Sequence, residues 1–109
     1  MDIKTARHVV INQANIEHDD SFLARLKCQE PPVPGQVTTL LLALKVIYEH
    51  LKTTDLIERE LAYALYQLAY EGGQLYERGK QVHVEWPPLL DADLNRIAIA
   101  VAQIFKGMT

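Results

Sequence analysis

Apolar and polar positions alternate with a helical period through most of this chain, most fully from Asp55 to Lys80, DLIERELAYALYQLAYEGGQLYERGK. At 100° per residue, Ile57, Leu61, Ala64, Leu65, Leu68, Gly72 and Leu75 fall on one side, the stripe expected to face a core. Leu56, Tyr63, Tyr66 and Tyr70 fall on the opposite side, among Arg59, Gln67, Gln74 and Glu77. The segment predicts one long amphipathic helix with two apolar faces. Asp55 offers an N-cap acceptor, with Glu58 three residues on as in a capping box. Gly79 and Lys80 suit the C-terminal end. Gly72 and Gly73 cost about 1 kcal/mol each relative to alanine in a helix interior. Leu68, Gly72 and Leu75 nevertheless stay in phase, so the helix is expected to continue, with Gly72 admitting a crossing helix.

The rest of the chain predicts shorter helices around this one. Ile3, Ala6, Val10 and Ala14 share a face, giving a first helix over 3–16. His18 to Ser21 supply N-cap candidates for a short helix, Phe22 to Cys28, with Phe22, Leu23 and Leu26 inward. Pro31, Pro32 and Pro34 cannot continue a helix and read as a rigid spacer, although they also spell a PxxP ligand. The most hydrophobic helix follows, Gln36 to Lys52. Its core face is Val37, Leu40, Leu41, Leu44, Ile47, Tyr48 and Leu51, while Leu42 and Val46 form a second apolar spot. The short link Thr53-Thr54 makes this helix and the 55–80 helix expected antiparallel neighbours. In QVHVEWPP, Val82, Val84 and Trp86 alternate with polar residues, which predicts an extended strap with Trp86 lying across the helices. Asp91 is placed to cap a last helix, Ala92 to Phe105, with Leu94, Ile97, Ala98, Val101, Ile104 and Phe105 inward. The expected fold is an all-α single domain over 1–109, a bundle of about five helices with one long central helix and an extended strap.

Composition narrows the function classes. The 109 residues are 49% hydrophobic and 23% charged, ordinary for a folded chain. A net charge of −3 provides no broad basic footprint, so nucleic-acid binding is not expected. No apolar run is long enough to span a membrane, and the N-terminus MDIKTARHVV lacks a signal core. The single cysteine, Cys28, fits a reducing compartment and reads as a small, half-buried thiol. A cytoplasmic location is the expectation.

No catalytic motif assembles in the sequence. Five residues separate Gly73 from Gly79, and Gln81 follows Lys80, so the Walker A spacing and its Ser or Thr are missing. His8, His18, His50 and His83 show no i, i+4 pair. His18 with Asp19 and Asp20, or His83 with Glu85, falls short of the four ligands usual in a structural zinc site. No catalytic residue, cofactor site or metal site is expected. The tyrosine stripe then carries the functional reading. Either Tyr63, Tyr66 and Tyr70 complete the core with hydroxyls in water, or they form an interface. The interface assignment comprises Leu56, Arg59, Tyr63, Tyr66, Tyr70 and Glu77, with Arg59 and Glu77 setting the register of an antiparallel pair. A homodimer or another protein is the expected partner.

The segments PGQVTTLLLALKVIYE, ERELAYALYQLAYE and EWPPLLDADLNRIAIAV resemble a family of short cyanobacterial proteins often labelled dethiobiotin synthetase. The resemblance covers Pro34 to Phe105. Dethiobiotin synthetases proper are longer, with a doubly wound P-loop fold that binds ATP and magnesium, and none of their phosphate-binding residues has a counterpart here. The resemblance implies a cyanobacterial, cytoplasmic origin and transfers no site. Beside the interaction protein stand two alternatives: a small biotin-pathway enzyme, and a small-molecule carrier with a pocket beneath Trp86.

Overall fold

Asp2 opens helix α1 (Ile3–Gln13) by accepting from the Thr5 amide at 2.7 Å. The computed structural model describes residues 1–108. Helix α1 stops before the expected residue 16, because the loop that follows is tied by its own bonds. Ser21 Oγ donates to the Asn15 carbonyl at 2.6 Å and accepts from the Ala24 amide at 3.1 Å. Ser21 is thus the N-cap of α2 (Phe22–Lys27), whose Phe22, Leu23 and Leu26 are buried. Cys28, just beyond, is exposed rather than half-buried. Gly35, at φ 84°, turns the polyproline segment into α3 (Gln36–Leu51), where a side chain would be strained.

The long helix differs from expectation at its start. It begins at Arg59 instead of Asp55, and Glu58 precedes it in extended conformation. The capping box fails because the Glu58 carboxylate is drawn to Arg7 of α1. Thr54 Oγ1 meanwhile holds the link as a turn, bonded to the Leu51 carbonyl at 3.1 Å. From Arg59 the rod continues without a break through α4 (Arg59–Tyr66), a π turn (Gln67–Glu71) and α5 (Gly72–Gln81). At 1.5 Å per residue this is about 34 Å. The chain then crosses Val82–Leu89 without regular structure and enters α6 (Leu90–Lys106). That helix starts earlier than Asp91 predicted, so Asp91 and Asp93 lie in its first turn, favourably placed for the dipole.

Among the described residues the architecture is all-α, five helical rods around one core with no strand. Helix α3 lies in the middle, packed chiefly against α1 and α6. Leu40, Leu44 and Ile47 are fully buried there, each contributing about 1.5–3 kcal/mol on burial. The expected antiparallel pairing of α3 with the long rod does not occur. Segment α4 packs on α1, the π turn on α6, and α5 on α2 and α6. The later helix start leaves a longer link, enough for the chain to reach the far side of α1. Val46 packs against the core, while Leu42 on the same helix is exposed. Phe105, expected inward, is also exposed, because Val101 and Ile104 take the buried face of α6.

Glycines serve close approach in two places on the rod. A Cβ on Gly72 would sit 3.3 Å from Leu94 Cδ2, so α6 crosses here as Gly72 predicts. At Gly79 a Cβ would lie 2.5 Å from the Trp86 ring. Gly79 therefore seats the strap and does not end the helix. The end is made by His83, at φ 66°, with the Gly79 carbonyl accepting from Val84 at 2.9 Å.

Candidate functional site

The tyrosines of the rod face solvent. Tyr63, Tyr66 and Tyr70 are 59%, 45% and 55% exposed, while Leu61, Ala64, Leu65 and Leu68 on the other side are buried. The core alternative for these three rings is thereby excluded. They stack along the rod, with centroids 6.1 Å apart between Tyr63 and Tyr66 and 5.5 Å between Tyr66 and Tyr70. Interplanar angles of 23° and 14° make this an almost parallel ladder. Such pairs contribute about 0.5–1.5 kcal/mol beyond area burial when well packed, so the rings hold one another in place.

Two of the expected site residues leave the ladder. Leu56 precedes the rod and is 84% exposed, so it is no rung of the helix face. Glu77 is displaced by the π turn. A π turn spends one residue more than an α turn, so each later side chain takes the angular place expected one position earlier. The ladder accordingly continues from Tyr70 to Gln74 and Arg78, which line one hollow with it, and not to Glu77. Arg59 remains one turn before Tyr63 and exposed.

Ile16, in the loop after α1, is the residue that pattern reading missed. It lines two hollows, one on each side of it along the ladder. The first, about 300 Å³, also contains Glu17, Glu60, Tyr63 and Gln67. The second, about 330 Å³, contains Lys27, Tyr70, Glu71, Gln74 and Arg78. Loop and rod are joined by no periodicity, so only the three-dimensional fold brings Ile16 beside the tyrosines.

The Tyr63 end is fixed to α1 by charge. Arg7 Nε donates to Glu58 Oε2 at 2.8 Å, and Nη2 donates to Glu58 Oε1 and, at 2.6 Å, to Glu60. These hydrogen bonds hold the Glu58 carboxyl below its ordinary range and raise Arg7 further above its own. At the other end of the rod, Trp86 Nε1 donates to the Tyr76 carbonyl at 3.0 Å and its ring stacks on Tyr76. The Trp86 ring packs directly on Gly79, with no room for a Cβ between them.

Among the described residues, no group of three or more His, Cys, Asp and Glu is placed to hold a metal ion. No described helix is long and apolar enough to cross a membrane. No family model, curated protein or solved structure matches this chain.

Proposed function

We propose that this is a non-enzymatic interaction protein that acts by presenting the tyrosine ladder, and that it associates with itself through that face. The observation that supports the reading is the set of three stacked tyrosines, each about half exposed, on a rod whose opposite side already supplies the core. Half-exposed rings of this size offer roughly 300 Å² of contact. That is already the size of the largest apolar patch on a typical monomer. Tyrosine also supplies interface area at low cost in side-chain entropy. The double variant Tyr63→Glu, Tyr66→Glu is expected to be monomeric by light scattering and to keep its helical circular dichroism. A dimer that persists in this variant would refute self-association through the ladder.

A biotin-pathway enzyme makes a different demand. It requires specific uptake of ATP with magnesium, whereas the interaction reading expects no heat of specific binding in calorimetry. Micromolar binding would displace the proposal.

A further inference from the structure

We propose that the occupant of the ladder is a second copy of this chain, antiparallel to the first about a two-fold axis beside Tyr66 and Ile16. This rests on the reading that the ladder is an association surface, and it adds the register. The two hollows flanking Ile16 differ in charge. The one at the Tyr63 end carries Glu17 and Glu60 and no cation in its lining. The one at the Tyr70 end carries Lys27 and Arg78 against the single carboxylate of Glu71. A two-fold axis between them sets each acidic hollow against the basic hollow of the other copy, as an isologous contact requires. A parallel arrangement would set like against like.

Of the charges that would cross the interface, all but Glu60 lack an ion pair within the chain among the described residues. Among the described residues, Glu17, Lys27 and Arg78 make no ion pair, and Glu60 has only Arg7, which it shares with Glu58. Arg59, an exposed cation at the Tyr63 end, lies outside both linings. Such rim charges choose the register and the rate of encounter, while the rings provide the contact area. They are also screened over about 8 Å at physiological ionic strength. The dimer should therefore weaken as salt is raised.

Charge reversal tests the register. Sedimentation velocity would compare the wild type, the Lys27→Glu, Arg78→Glu variant and the Glu17→Lys, Glu60→Lys variant, with circular dichroism as a folding control. The wild type is expected to be dimeric, and each variant alone to dimerise at least about tenfold more weakly. An equimolar mixture should recover the dimer, with the heterodimer visible by native mass spectrometry. If Glu60→Lys unfolds the chain through Arg7, Glu17→Lys alone takes its place, since Glu17 belongs to no internal pair. Variants that dimerise like the wild type would overturn the antiparallel register and leave the ladder reading standing. A wild type that stays monomeric at high concentration would overturn both.

Discussion

Gln36 Nε2 donates to Gln13 Oε1 at 2.8 Å, tying the start of α3 to the end of α1. The same Gln13 oxygen accepts from the Phe22 amide at 2.8 Å, and the Gln36 amide also reaches the Asp20 carbonyl at 2.9 Å. Three helix ends thus meet at two side-chain amides. The Phe22 amide needs an acceptor, and this fixes which way Gln13 points. Replacing Gln13 by Leu strips the acceptor from a part-buried N–H and should cost about 1–3 kcal/mol. Gln36→Leu leaves that bond intact and should cost less. Urea unfolding of the two variants checks the order.

Ser21 is the neighbouring cap, buried and bonded at both ends of its hydroxyl. Ser21→Ala removes both bonds at once. A loss of about 1–2 kcal/mol is expected, at the upper end for a cap. Thermal unfolding by circular dichroism measures it.

Gly73 and Gly79 should respond in opposite directions to alanine. Gly79→Ala drives a methyl into the Trp86 ring. It should cost about 1–3 kcal/mol and shift Trp86 fluorescence to the red as the ring swings out. Gly73 is helical with nothing within 4 Å of its Cβ position. Gly73→Ala should stabilise by up to about 1 kcal/mol. A red shift for Gly73→Ala, or none for Gly79→Ala, would contradict the seating of the strap.

Acid should loosen the join between α1 and the rod. Glu58 is more acidic folded than its ordinary value of 4.5, through its hydrogen bonds from Arg7. Asp2 is likewise held below 3.8 by the Thr5 amide. In both cases the unfolded chain binds the proton more readily. Their stabilisation is complete above the ordinary value and is lost as pH falls through the depressed one. Melting temperature should therefore drop below about pH 4.5, and Glu58→Gln should flatten part of that slope.

The sequence made the helices legible because their stripes are strong: Leu40, Leu44 and Ile47, or Leu94, Ile97, Val101 and Ile104, each keep one phase and are buried. The same periodicity put Tyr63, Tyr66 and Tyr70 opposite the core stripe, but it left open whether α1 and its loop would cover them. Where side chains reach across the fold, local signals lost. Glu58 had a local use as a cap and a distant one at Arg7, and the distant one prevailed. Gly79 looked like a helix end by composition, but its role is set by Trp86, seven residues on and folded back. The polar node at Gln13 and the place of Ile16 beside the ladder depend on helices meeting, which no single segment encodes.

The π turn turns the rod into a crankshaft. One surplus residue sets each later side chain back by about 100°, so a stripe that runs straight in the sequence is swept round the axis in space. This is why α4 can rest on α1 while α5 rests on α2. A chain shortened by one residue between Gln67 and Glu71 would regain an unbroken α-helix, with each later side chain keeping the angular place it has now. Gly72 would then still meet Leu94, whereas forcing the full-length segment into α geometry would turn it away. The π turn is thus the place where the rod absorbs a residue while both of its halves keep their neighbours.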